Sequence, residues 1–356
     1  MNEICILSAV ALRGWFGNGF PWQLIDGCIR NIPYDSSHLR ELSNQSLNDY
    51  CTHVLQLGDM IYYIRLNGEC GMTRTGEVHF VINILNPQTK LLGNYHKIEH
   101  FEDYVIYSGT SGYAMVRHTN EFPQCADQVE YFHCAVFINK LIGKWFYFCP
   151  KLITMRWVLS RVDITNKTNM MKSEEIKCNE SEFSCICESG EYIVVITQEV
   201  AVITQEMEVF LFGHDTLKLC RRFWLNLGLT WAPQGITSAV GIEYKNRPHI
   251  AVSFDGIEIE DEIVTHHGIC FIAIESAHVD EIFYTQDRVE KLEWFNEHLI
   301  VLSYNSLQLW SLYKQPPEPV KQIDVPPLLK PGKFRSMEFV GTQLQVHVGT
   351  SLMTYE

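Results

Sequence analysis

The chain has 356 residues with 46% hydrophobic and 20% charged side chains, the make-up of one large globular domain or two ordinary ones. Its 28 basic and 42 acidic residues leave a formal charge of −14, which excludes a surface that coats nucleic acid or anionic lipid over its whole extent. No segment reaches the ~18 consecutive apolar residues that a membrane-spanning helix needs.

At the N-terminal end, Ile4 to Leu12 is apolar and Ala9-Val10-Ala11 resembles a signal-peptidase site. Glu3 stands where a leader carries a basic residue, and the apolar stretch before the small residues is shorter than the ~7 positions a leader uses, so no secretory signal is expected. The glycine-dense Gly14-Trp15-Phe16-Gly17-Asn18-Gly19 is followed by Phe20-Pro21-Trp22 instead of a helix start. It reads as a tight turn, not a phosphate cradle. The stretch from 31 to 48 is polar and Ser/Asn-rich, an irregular connection with a short helix expected at His38 to Leu42.

From there a succession of short runs rich in Val, Ile, Tyr, Phe and Trp predicts strands, with almost no sustained 3.6-residue apolar period. The clearest are Asp59–Leu66, Glu77–Leu85, Tyr104–Ser108, Tyr113–His118, Lys144–Phe148, Tyr192–Thr197, Met207–Phe212, His249–Phe254, Cys270–Glu275, Leu299–Tyr304 and Leu307–Leu312. Several form hairpins: Thr110-Ser111-Gly112 and Asn305-Ser306 each join two runs, and Gly341-Thr342 and Gly349-Thr350 divide the last three. Strand centres near residues 62, 106, 146, 194, 251, 301 and 345 are spaced by roughly 40 to 57 residues, the period of four-stranded propeller blades. The fold class is therefore all-β: residues 1–356 as a single β-propeller of seven four-stranded blades, closed by pairing of N- and C-terminal strands. Six and eight blades remain alternatives.

Within this frame, residues 165–182 and 315–331 read as exposed loops or inter-blade connections. The second holds Pro316, Pro317, Pro319, Pro326, Pro327 and Pro331, which no helix or central strand tolerates, and offers a polyproline-type docking segment. Val195-Ile196-Thr197-Gln198-Glu199 recurs as Val202-Ile203-Thr204-Gln205-Glu206, a duplicated strand or a bulged hairpin. Asp255 to Glu262 alternates acid and Ile and predicts an acidic edge strand with Glu258 and Glu260 on one face, suited to resisting edge pairing or receiving a basic segment. Two small basic clusters, Lys218/Arg221/Arg222 and Lys330/Lys333/Arg335, read as solvated rims.

The segment His298 to Leu312 (HLIVLSYNSLQLWSL) resembles the central hairpin of a WD-repeat blade: a strand, a polar turn, and a second strand ending in Trp310. Ser311 replaces the Asp of that motif, and Gly213-His214 lies too far away to supply its Gly-His pair. The resemblance implies a divergent WD-repeat-like propeller.

Chemistry is sparse. Cys178, Cys185 and Cys187, and His266, His267 and Cys270, lack the paired spacing of zinc ligands. There is no Gly-x-Ser-x-Gly and no His-Glu-x-x-His. Neither a catalytic residue, a metal nor a cofactor is expected. Twelve cysteines, mostly inside apolar runs, fit small buried hydrophobes in a reducing compartment, cytoplasmic or nuclear; the sequons at Asn44, Asn166 and Asn179 then carry no weight.

The function class that fits is a non-enzymatic scaffold, one subunit of a multiprotein complex that binds a partner protein or peptide through blade loops. A link to a ubiquitin ligase would run through another subunit. Candidate partner-binding residues are Pro316, Pro317, Pro319, Glu258, Glu260, Asp261, Glu262 and Trp231, with Trp15 and Trp22 as further aromatic anchors. The alternatives are a propeller hydrolase or lyase, marked by carboxylates and histidines converging at a channel mouth, and a nucleic-acid-associated adaptor.

Overall fold

The computed structural model describes residues 41–47, 51–65, 69–74, 80–81, 95–109, 112–118, 128–131, 136–150, 156–166, 170–177, 181–199, 206–226, 232–259, 263–313, 317–326 and 335–356. All belong to one compact unit, Leu39–Glu356. The readings of Gly14 to Gly19, Trp15 and Trp22 lie outside the described residues.

The described chain opens with β1 (Glu41–Ser46). Blade 1 is β2 (Cys51–Leu57), β3 (Met60–Arg65), β4 (Cys70–Arg74) and β5 (Phe80–Val81); blade 2 is β6 (Tyr95–Phe101), β7 (Tyr104–Gly109), β8 (Gly112–Arg117) and β9 (Gln128–Tyr131). In blade 3, β10 (Val136–Ile142), β11 (Trp145–Pro150), β13 (Ser160–Asp163) and β14 (Met170–Lys172) pair in order, while β12 (Arg156–Trp157) and β15 (Ile176–Lys177) form a side ladder. Blade 4 is β16 (Ser181–Ser189), β17 (Tyr192–Glu199), β18 (Glu206–Gly213) and β19 (Leu219–Asn226); blade 5 is β20 (Ala232–Tyr244), β21 (Arg247–Ile259), β22 (Ile263–Ala273) and β23 (His278–Thr285). Blade 6 is β24 (Val289–Phe295), β25 (His298–Ser303), β26 (Ser306–Ser311) and β27 (Glu318–Asp324), and blade 7 is β28 (Arg335–Val340), β29 (Gln343–Val348) and β30 (Ser351–Tyr355), completed by β1. The fold is thus a seven-bladed propeller. The seven strand centres read from the sequence are the second strands β3, β7, β11, β17, β21, β25 and β29, and the WD-like hairpin is β25–β26.

The period-two pattern of those strands has a direct packing consequence. Every blade junction holds its own apolar core, and alternate residues of one strand feed the cores on its two sides. On β17, Val194 and Ile196 pack toward blade 5, whereas Ile193 and Val195 pack toward blade 3. All four are fully buried, each contributing about 1.5–3 kcal/mol of transfer free energy. Side chains also reach across junctions to backbone groups: Gln345 accepts from the Gln56 amide (2.8 Å) and donates to its carbonyl (2.6 Å), and Ser189 donates to the His249 carbonyl (2.7 Å).

Three expectations need correction. The short helix at His38 to Leu42 does not form over its described part, because Glu41 and Leu42 enter β1 and gain backbone partners on the free edge of β30 that an isolated helical turn lacks. The connection at 165–182 supplies β14, β15 and the first residues of β16. The Pro-rich stretch is not wholly a loop: Glu318–Asp324 is the outermost strand of blade 6, with Pro319 opposite Trp310 at a register shift. An edge and a bulge are the two places in a sheet where a missing N–H costs no ladder bond.

Close approach of backbones fixes one glycine. A Cβ on Gly241 in β20 would lie 1.8 Å from the carbonyl oxygen of Glu188 in β16, where the innermost strands of blades 5 and 4 meet. Gly241→Ala is expected to cost at least about 2 kcal/mol, seen as a lower urea midpoint with an unchanged slope; an unaltered midpoint would show that these two strands are free to separate.

Candidate protein-interaction surface and central channel

The innermost strands β2, β6, β10, β16, β20, β24 and β28 line the channel, and charge collects there. Lys97 pairs with Glu99 at 2.6 Å, and Glu99 also accepts from the Leu141 amide of blade 3 at 3.1 Å. Lys291 lies 2.9 Å from Glu338 and 3.4 Å from Glu293, and Glu293 reaches Lys140 at 4.0 Å, which links blade 6 to blade 3 on the far side of the ring. Burial works against charge on Lys140, but Glu293, Glu338 and Glu99 outweigh it and hold the ammonium above its ordinary value. Burial likewise opposes ionisation of Glu338, yet Lys291, Lys140 and Lys97 pull its carboxyl below the usual range. Three lysines, Lys97, Lys140 and Lys291, therefore lie among three carboxylates, Glu99, Glu293 and Glu338.

His53 on β2 accepts from the Ile98 amide of blade 2 at 3.3 Å, and burial lowers its pKa to about 3, so the imidazole is neutral. On blade 4, burial pushes the Cys185 thiol up to about 12. The channel thus brings carboxylates and a histidine together, but each carboxylate faces a lysine. Among the described residues no group of three or more His, Cys, Asp and Glu is arranged to hold a metal ion.

The second feature is on one end of the ring. In each blade the turn between second and third strands and the connection into the next blade share that end. There blade 5 projects: β21 and β22 continue pairing from Gly256↔His266 to Ile259↔Ile263, beyond His267↔Thr285, the last rung to β23. Four further rungs at ~3.4 Å per residue make a ribbon extending roughly 13 Å. Its base is pinned by polar contacts, since Asp255 meets His267 at 2.9 Å and Arg288 of the next blade at 3.0 Å, with Glu290 3.8 Å from the same guanidinium. Beside the ribbon, Tyr284 is 61% exposed, its ring 6.5 Å from that of His266.

The predicted site residues divide between the two ends. Glu258 lies on β21 at the ribbon, paired with Val264, so the described part of the acidic run belongs to an interior strand and not to an edge strand. Glu260, Asp261 and Glu262 lie outside the described residues, as do Trp231 and Pro316. Ala232, the residue after Trp231, pairs with Ile257 in the same ribbon. Pro317 is buried and Pro319 exposed, both at the opposite end, near the turn into β27. The acidic and proline candidates are therefore not one surface. Tyr284 and Arg288 escaped the sequence reading, because nothing in a lone exposed Tyr or Arg marks it before the strand pairing is known. Of the basic clusters, Arg222 pairs with Glu208 and Arg335 stacks 4.6 Å over Tyr304; Lys330 and Lys333 lie outside the described residues.

No family model matches the chain, and no curated protein matches it. Solved structures do. The Neurospora crassa Pan2 WD40 domain aligns with a TM-score of 0.56 at 9% identity, covering 90% of this chain and 96% of that one. The N-terminal domain of Nup159 gives 0.52 at 12% identity over 91% and 97%. A structure of S. cerevisiae Dbp5 bound to Nup159, Gle1, IP6 and ADP gives 0.51 at 10% identity over 90% and 95%. At such identities the likeness is one of fold, that of a WD-repeat-like propeller.

Two buried histidines set a pH dependence. His53 near 3 and His347 near 4 both fall below the ordinary value through burial, and the His347 Nε2 donates to the Gly349 carbonyl at 2.9 Å. The unfolded chain takes up protons at both below pH ~6.5 while the folded chain does not, so stability falls with pH, by on the order of 2 kcal/mol per histidine at pH 5. Thermal unfolding between pH 7 and 5 is expected to show this decline, with a shallower slope in His347→Gln; an unchanged slope in that variant would exclude His347 as a source.

Proposed function

We propose that this chain is a non-enzymatic protein-interaction scaffold, a propeller subunit of a larger assembly that receives a basic partner segment on the end of the ring carrying the blade 5 ribbon. The observation that carries this reading is the ribbon itself: two strands paired beyond the end of β23, anchored at their base through Asp255, His267 and Arg288, with Glu258 near the far end and three more acidic residues, Glu260, Asp261 and Glu262, next in sequence. A rigid ring holding a projecting acidic element beside an exposed Tyr284 suits recognition, in which aromatic anchors carry much of the affinity and charge steers the encounter. Propellers of this fold in complexes with partner proteins, as in the Dbp5–Nup159 structure, support protein binding in general. Delivery to a ubiquitin ligase through another subunit is one form such a role takes. The thiols of Cys149, Cys187 and Cys270, all buried, support residence in a reducing compartment, cytoplasmic or nuclear.

An enzyme with its site in the channel is the second reading, drawn from the convergence of Glu99, Glu293, Glu338 and His53. The lysine facing each carboxylate argues against it, since ion-paired groups are poor proton carriers.

Affinity purification of the tagged chain is expected to recover a stoichiometric protein partner. The same partner should be lost with Glu258→Gln, Glu260→Gln, Asp261→Asn and Glu262→Gln combined, and weakened about tenfold or more by Tyr284→Ala. Elution of the folded chain as a lone monomer, or retention of the partner by both variants, would overturn the assignment.

A further inference from the structure

The outer rim of blade 4 carries a second surface. β19 is the last strand of its sheet, bonded to β18 on one side, and among the described residues no strand pairs with its other side. Its eight residues make it, with β23, the longest of the described outer strands. Such an edge presents a row of backbone donors and acceptors to any extended chain.

Other long edges are blunted. β27 carries Pro319, and on β23 Asp280 and Glu281 are tied to His249 and Lys245. On β19 the charge has the opposite sign to the protein. From Thr216 to Asn226 there are Lys218, Arg221 and Arg222 and no acidic residue, in a chain of net charge −14. Arg222 is committed to Glu208, whereas Arg221 spends its donors on two carbonyls of blade 5, Ile274 (3.2 Å) and Glu275 (2.6 Å), and keeps its charge uncompensated by them. Trp224 is 39% exposed, and the Arg222 guanidinium lies 5.8 Å from its ring centre, which holds the indole against the sheet. Charge alone suffices to guard an edge; an exposed indole works against that purpose and suits contact.

We propose that β19 accepts an extended acidic peptide segment of a partner protein as a fifth strand of blade 4. The register shift at Cys220 confines the new ladder to Arg221–Asn226. Backbone bonds along this stretch supply binding, carboxylates of the guest face Lys218 and Arg221, and an adjacent guest side chain lies on Trp224. This surface is separate from the blade 5 ribbon, and although it extends the scaffold reading, it stands or falls independently of it.

The test uses the full chain and a fluorescent, end-capped peptide of about eight residues alternating glutamate and threonine, long enough to span such a ladder. Expected are saturable anisotropy changes, slowed hydrogen exchange confined to the amides of 221–226, and unchanged binding to the chain neutralised at 258–262. Trp224→Ala and Arg221→Gln should each weaken binding about tenfold. The same peptide with alternate N-methylated amides should bind at least about tenfold more weakly, because it cannot complete the ladder. Equal affinity of the methylated peptide, protection elsewhere on the chain, no binding at all, or tighter binding of oligouridylate at the same strand would overturn the proposal.

Discussion

The pairing of β1 with β30 is the interaction on which the ring depends. A blade is apolar on both faces, so each of the seven sheets needs a neighbour on either side, and the chain must return to its beginning before blades 7 and 1 can cover one another. Joining Ser46 to Ser351 closes a loop of about 300 residues, an entropic cost of roughly 5 kcal/mol beyond the constant for any loop. Against it stand Cys51, Val54, Ile61, Tyr63 and Leu352 in the core shared by blades 7 and 1. At about 1.5–3 kcal/mol for each large apolar side chain, this junction outweighs the closure cost. The Gln345–Gln56 bonds add direction to an attraction that burial leaves non-directional.

Closure creates the channel, and the channel explains its charges. The inner edges of seven innermost strands converge where no further strand fits, leaving backbone amides that must find partners. His53 takes the Ile98 amide, Glu99 the Leu141 amide and Ser238 the Leu292 amide (3.0 Å), each amide belonging to the following blade. Once Glu99 is placed for such a bond, a lysine beside it limits the cost of its buried charge, and the same logic extends to Glu293 and Glu338. Removing one member of this set leaves its partner buried and unpaired, which costs more than the intact set contributes.

How much of this was legible depends on range. Alternation of apolar residues and glycine or Asn-Ser turns are local, so the seven second strands and the β25–β26 hairpin could be read directly, and the blade count followed from their period. What escaped depends on pairing between distant segments. Glu41 and Leu42 look helical until β30 offers an edge. Glu258 looks like an edge residue until β22 pairs with it, and Pro319 looks like a loop residue until a register shift beside Trp310 makes room for it. Channel ions from four blades have no common sequence signature at all: Lys97, Lys140, Lys291 and Glu338 sit in unremarkable runs and meet only when the ring closes.

The ring is nonetheless not uniform. Among the described residues β21 and β22 of blade 5 run to thirteen and eleven residues, whereas the outer strands β19, β23 and β27 of blades 4 to 6 have seven or eight. The blade 5 ribbon is the surplus, and its base is clamped at the entry to blade 6 by Arg288. Sheet built beyond what covers a neighbouring blade gains no junction core in return, while its edges still require charge, proline or a bulge for protection. The surplus strand therefore contributes nothing to closure, which is why the proposed partner contacts are placed on the ribbon and on the rim of blade 4.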